Sequence, residues 1–131
     1  MEKLVADHLR AEGAGDPDGA VANYTHDIEH DVVGYPTGPV TGIPAALNFY
    51  RQLVQDFRTD DEQRLHTYYA DNACVIENSM TGVVTGQMLG IPGNGKRISF
   101  RILHVFEFRD GRISRENVWS DSAAIAAQLT G

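Results

Sequence analysis

The apolar positions change their period once along the chain. From Leu4 to Leu9 they recur at helical spacing, with His8 on the apolar side and Gly13 to Gly15 ending the helix. Asp16-Pro17 reads as an N-cap followed by proline at the first helical position, which predicts a second short helix through Val21 and Tyr24. A strand is expected from Asp27 to Val33 and a Gly-Pro loop from Gly34 to Pro39. Pro44 then opens a third helix, whose stripe of Leu47, Tyr50, Leu53, Val54 and Phe57 should face the core. After Thr59-Asp60-Asp61-Glu62, a polar run expected in an exposed turn, the pattern becomes that of strands. Leu65 to Ala70, Ala73 to Gln87, Arg97 to Arg109 and Arg112 to Asp121 are rich in β-branched and aromatic residues. Between them stand Asp71-Asn72, Gly93-Asn94-Gly95 and Asp110-Gly111, the last suited to a two-residue type I′ turn. Ser122 to Leu129 forms a closing helix. Helices followed by an antiparallel meander predict an α+β fold with helices on one face of a curved sheet, in a single domain over residues 1–131.

Parity along the last two strands sorts the candidate side chains. Ile98, Phe100, Ile102, His104, Phe106 and Phe108 share one face, so His104 is the lone polar residue on an apolar surface. In the final strand Ile113, Arg115, Asn117, Trp119 and Asp121 fall together, opposite Ser114, Glu116, Val118 and Ser120. The outer face is then expected to carry Leu103, Val105 and Val118 among Arg101, Glu107 and Glu116, a mixed surface suited to a homodimer.

Composition narrows the function classes. With 131 residues, 42% hydrophobic and 22% charged, the chain is ordinary globular; its net charge of −7 argues against nucleic acid or an anionic membrane as partner. No apolar stretch approaches the roughly 20 residues of a membrane span. One cysteine, Cys74, precludes an internal disulfide, and the N-terminal segment lacks the pattern of a signal peptide, so a cytoplasmic location is expected. Cys74 on a strand reads as a small buried residue rather than a nucleophile. There is no Walker A loop, G-x-G-x-x-G, C-x-x-C, H-E-x-x-H or G-x-S-x-G, which removes the common nucleotide, redox, zinc-protease and serine-hydrolase signatures. The segment His26 to Asp31 holds two histidines and three carboxylates. A metal reading would use His26, His30, Asp31 or His104, but the spacing matches no metal motif, and an edge strand with solvated charges accounts for it, so no metal or cofactor is expected.

The order of helix, helix with D-x-D-G (Asp16 to Gly19), strand, Gly-Pro loop, helix with Phe49-Tyr50 and meander resembles the nuclear transport factor 2-like fold. Leu89 to Phe100, Val105 to Ile113 and Trp119-Ser120-Asp121 are similar to the SnoaL-like polyketide cyclases, whereas Glu29 to Gly34 with Phe49-Tyr50 is similar to the ketosteroid isomerases. The resemblance implies a cone-shaped roll, a curved and mainly antiparallel sheet over N-terminal helices, enclosing one apolar cavity. Carried over residue by residue, the isomerase base falls on Asp31, and its two oxyanion-hole donors fall on His104 and His8. The cyclase acid/base aspartate falls on Asp121. The cyclase G-T-H-T-G histidine is replaced by Val84. Tyr24, Asn78, Asn117 and Trp119 are candidates for the pocket lining.

Each candidate has a structural reading beside it. Asp121 stands where the closing helix needs an N-cap, His104 serves equally as a core histidine, and His8 bounds the first helical stripe. The expected function is cofactor-independent acid–base chemistry on a small hydrophobic carbonyl compound, of polyketide or terpenoid type, by proton abstraction α to the carbonyl. Asp31 or Asp121 would be the base, with His104 and His8 donating to the enolate oxygen. A non-catalytic ligand-binding domain, and an epoxide-hydrolase-like activity using Arg101 or Arg115, remain open beside it.

Overall fold

The first helix, α1 (Glu2–Gly13), forms where the apolar spacing puts it, with acidic Glu2 in its first turn and basic Arg10 in its last, both matched to the helix dipole. It buries Val5, His8 and Leu9. In this computed structural model, which describes residues 1–131, α2 (Pro17–Val21) is capped by the Asp16 carboxylate, which accepts from the Gly19 N–H at 3.1 Å. A Cβ at Gly19 would stand 2.2 Å from Asp16 Oδ2, so the cap requires glycine there. The helix stops before Tyr24, which is the first residue of β1 (Tyr24–Val32) rather than the last of a helix. The short β2 (Val40–Thr41) precedes α3 (Ile43–Asp56), whose core face is Ala46 and Tyr50, with Leu47 and Leu53 half-buried.

Thr59 to Glu62 is not a turn. It belongs to β3 (Phe57–Ala70), which starts where α3 ends and is the edge of the sheet. An edge strand exposes most of its side chains, so its polar sequence imitates a loop. Then come β4 (Ala73–Val84), the small hairpin of β5 (Gln87–Met88) and β6 (Ile91–Pro92), β7 (Lys96–Arg109), β8 (Arg112–Ser120) and α4 (Ser122–Thr130). The turn joining β7 to β8 has positive φ at both Asp110 (54°) and Gly111 (71°), as a type I′ hairpin requires. The main sheet runs β2-β1-β8-β7-β4-β3, antiparallel except where β1 lies parallel to β8. The result is α+β, with the helices against the concave side of a curved sheet.

One register shift decides what β8 turns inward. Glu107 pairs with Arg115 and the next residue, Phe108, pairs with Ile113, which leaves Ser114 as an extra residue in β8. Ile113 and Glu116 therefore both face the interior, at 0% and 1% exposure. Val118 and Glu116 are buried, not part of the outer surface that simple alternation predicts; Leu103, Val105, Asn117 and Trp119 lie on the other face.

The core has two parts. One gathers α1, α2, α3 and the adjoining strands around Tyr24, Ile28, Tyr50 and Phe106. The other gathers Phe57, Met80, Phe100, Ile102, Val118 and Ile125. No helix is long and apolar enough to cross a membrane.

Candidate functional site

Between the two parts of the core lies a cavity of about 530 Å³, a size suited to a small organic molecule. α3 supplies Phe49, Tyr50 and Leu53, β7 supplies Phe100 and Ile102, β8 supplies Glu116, Val118 and Ser120, and Met88 and Leu89 of the small hairpin complete the wall. Most of the lining is apolar. At one pole, however, Tyr50, Glu116 and Glu12 present polar groups, and no lysine or arginine lines the space. Arg101 and Arg115 sit on the outer side of the sheet, where they face Glu77 and the Glu29, Asp31 and Glu107 carboxylates respectively.

Glu116 organises the polar pole. Its Oε1 accepts from the Tyr50 hydroxyl at 3.0 Å and from the Tyr24 hydroxyl, and lies 3.0 Å from His8 Nε2. Its Oε2 has no hydrogen-bond partner, although His104 Nε2 is 3.8 Å away. Tyr50 links the group further: its hydroxyl is 3.1 Å from His30 Nε2 and 3.0 Å from the Tyr24 hydroxyl. Behind His8, Nδ1 donates to the carbonyl of Ala20 at 2.7 Å, which fixes the ring and aims Nε2 at the carboxylates. His104 packs parallel to Phe106 and neither ring nitrogen has a partner.

The charges follow from this packing. Burial alone would push the His8 imidazole down, but Glu116 beside it and the hydrogen bond between them, with Glu12 adding to both, hold it well above its ordinary value. Glu116 is the mirror case: burial pushes its carboxyl up, and the positive His8 overrides that and holds it well below the usual range. Burial and the neighbouring Glu116 charge raise the phenols of Tyr24 and Tyr50, so both remain protonated donors. Burial lowers His30 and keeps it neutral near pH 7. The pole thus contains an ionised carboxylate, an imidazolium and two phenol donors, shielded from water.

The residues singled out from sequence separate into three places. His8, His104 and Tyr24 come together around Glu116. Asp31, Asn117 and Trp119 share the opposite side of the sheet, where the Asn117 amide donates to Asp31 at 3.2 Å and the Trp119 indole donates to Asn117 at 2.7 Å. Asp31 therefore points away from the cavity. Asp121 is the N-cap of α4, accepting from the Ala124 N–H at 3.1 Å, and lies outside the cavity lining between Ser120 and Ser122, which do line it. Asn78 is buried against Glu62, to which it donates at 2.9 Å, in a separate small polar pocket. Glu62 is accordingly no free surface charge: burial, with Glu12 nearby, pushes its carboxyl up to about 7. Sequence reasoning missed Glu116, Tyr50 and His30 as members of one constellation. Tyr50 had a signal, since a tyrosine on a core stripe needs a partner for its hydroxyl. Glu116 had none that survives the extra residue at Ser114.

A family model for SnoaL-like polyketide cyclases matches residues 5–129. Among solved structures, the chain is similar to a protein from Xanthomonas campestris pv. campestris described as a polyketide cyclase, at 24% identity and TM-score 0.83, covering 98% of this chain and 95% of that one. It is also similar to a nuclear transport factor 2-like protein from Burkholderia thailandensis, at 20% identity and TM-score 0.76, covering 97% and 95%. A Catenulispora acidiphila protein with a ketosteroid isomerase-like fold, solved with trimethylamine, matches at 14% identity and TM-score 0.81, covering 99% and 94%. At these identities the structures show a shared fold. No curated protein matches the chain.

Proposed function

The chain belongs to the SnoaL-like polyketide cyclase family, and on that premise we propose that it moves a proton α to the carbonyl of a small, hydrophobic, uncharged compound of polyketide or terpenoid type. The observation that carries this reading is the Glu116 carboxylate, 1% exposed, lining a mostly apolar cavity with one oxygen free of hydrogen bonds and the Tyr50 hydroxyl 3.0 Å from the other. Glu116 accepts the proton, and Tyr50 donates to the carbonyl oxygen as negative charge develops there. When that oxygen takes the Tyr50 hydroxyl, Glu116 loses one of the donors that hold it ionised, so its basicity rises as the substrate seats. His8 positions Glu116, and His30 positions Tyr50. We assign the base to Glu116 rather than to Asp31, which pairs with Asn117 on the outer face, or to Asp121, which caps α4.

The experiment is deuterium incorporation at the α-carbon of a panel of aryl ketones and β-diketones in heavy water. The protein should accelerate exchange, and Glu116→Gln should lose about 100-fold or more, with Tyr50→Phe losing about 10- to 100-fold. A Glu116→Gln protein exchanging at the unaltered rate would falsify the assignment. One observation favours a second reading, a ligand carrier without turnover: three donors already converge on Glu116 Oε1 and weaken it as a base. That reading predicts saturable ketone binding with no exchange in any variant.

Tyr68, Val75, Val105 and Asn117 align across the outer face, with Trp119 beside them at 52% exposure, which supports pairing of two copies through that face. Light scattering showing a single-chain mass at all concentrations would remove the dimer. A cytoplasmic location accords with the acidic, single-cysteine composition.

A further inference from the structure

We propose that His8, Glu12 and Glu116 form a binding site for one divalent transition-metal ion, open on its fourth side to the cavity. His8 Nε2 stands 3.0 Å from a Glu116 oxygen and 3.4 Å from Glu12 Oε2, and one donor atom from each of the three residues lies within 4.8 Å of the others. Donors bound to one ion at about 2.0–2.2 Å in a tetrahedron are separated by little more than 3 Å, so the two His8 spacings already fit. His8 and Glu12 occupy successive turns of α1, which places both on one helix face.

The hydrogen-bond pattern supplies an independent observation. Because the Nδ1 proton of His8 is committed to the Ala20 carbonyl, Nε2 faces two carboxylates, and something positive must stand between them. A proton on Nε2 serves Glu116 Oε1 and leaves Glu12 Oε2 buried without a partner, whereas Glu116 Oε2, on the His104 side, stays free to accept the substrate proton. A dication satisfies both carboxylates and the imidazole at once, and it cancels two buried negative charges where a proton cancels one. The Nδ1 contact to a backbone carbonyl is also the support that orients a metal-bound histidine. An imidazole with two carboxylates suits zinc, cobalt, iron or manganese; calcium, which takes six to eight oxygens, finds too few here. Glu12 and Glu116 both line the cavity, so the remaining coordination position faces a bound molecule. The inference rests on the reading of this pole as the reacting end of the cavity: there the ion would polarise the same carbonyl that Tyr50 contacts.

The test is titration of chelator-treated protein with Co²⁺, followed by visible d–d absorption, then displacement with Zn²⁺. One ion per chain should bind, without a thiolate charge-transfer band because Cys74 lies elsewhere. Glu12→Gln, at a position on the cavity wall, should weaken binding by about tenfold or more while keeping the helical circular dichroism and the metal-free melting temperature, and Asp60→Asn should bind as the unaltered chain does. No Co²⁺ spectrum up to about 1 mM, or affinity in Glu12→Gln and His8→Gln unchanged from that of the unaltered chain, overturns the site. Repeating the α-deuterium exchange in EDTA separates the two proposals. Exchange by a chain that binds no Co²⁺ overturns the ion and keeps the proton transfer. One Co²⁺ bound at these ligands with no exchange of any ketone keeps the ion and overturns the transfer.

Discussion

Two charged clusters lie back to back on the β1–β8 pair. On the inner side Glu116, 1% exposed, meets His8, Tyr24 and Tyr50. On the outer side Arg115 reaches Glu29, Glu107 and Asp31, and Asn117 donates to Asp31. The outer cluster has the stronger ions on paper, an arginine among three carboxylates, but water screens them and the side chains are free to exchange partners. The inner cluster has two carboxylates, Glu116 and Glu12, on one imidazole, yet each charge there has lost most of its water and depends on the groups around it. Burial, and not formal charge, separates a site from a surface.

That contrast is tested most severely by Glu116→Ala. Removing the acceptor strands an imidazolium and two phenols in the core and should cost about 3–5 kcal/mol in a denaturant titration; a cost below about 1 kcal/mol would put the inner cluster on the same footing as the outer one. Tyr24→Phe removes one charge-assisted donor from Glu116 and should cost about 1.5–3 kcal/mol by the same measurement, with the cavity lining untouched.

Glu62 sharpens the comparison because it lies between the extremes, flanked by Glu12, His8, Arg64 and Asp61. Its folded carboxyl titrates near 7, above its unfolded value, so the folded state holds the proton more tightly. The stability this gives is complete at pH below about 4.5 and is lost as the pH climbs to about 7. Glu62→Gln should therefore stabilise the metal-free protein at pH 8 by about 1 kcal/mol, discounted for partial solvent screening, with little gain at pH 4. A gain equal at both pH values would assign the effect to packing instead. The smallest effect is expected for Asp31→Asn on the outer side: less than about 1 kcal/mol in stability and an unchanged α-exchange rate. Tenfold slower exchange in that variant would return Asp31 to the chemistry and break the division between the two faces.

Local pattern made much of the architecture legible. The Asp16 cap and the Asp110-Gly111 turn each depend on a few neighbouring residues and form at the expected place, whereas the α3 stripe holds through Leu47, Tyr50 and Leu53 but leaves Val54 exposed and Phe57 in β3. The errors have equally local causes. Tyr24 continues no helix because α2 is a single capped turn, and Thr59 to Glu62 look like a loop because an edge strand is free to be polar. The candidate site was legible only in pieces: His8, Tyr24 and His104 stood out, while the carboxylate that joins them did not.

By itself, then, the sequence determined the order of helices and strands, the turns between them, the acidic surface and the family resemblance, because all of these are written in short-range periodicity and composition. Tertiary structure decided which face of β8 is interior. One extra residue at Ser114 turns Glu116 inward beside Ile113 and leaves Asn117 and Trp119 outside. A side-chain period of two means that a single-residue slip exchanges the two faces of a strand, and that slip is set by the register of pairing with β7 across the Asp110-Gly111 turn, which alternation within β8 alone does not record.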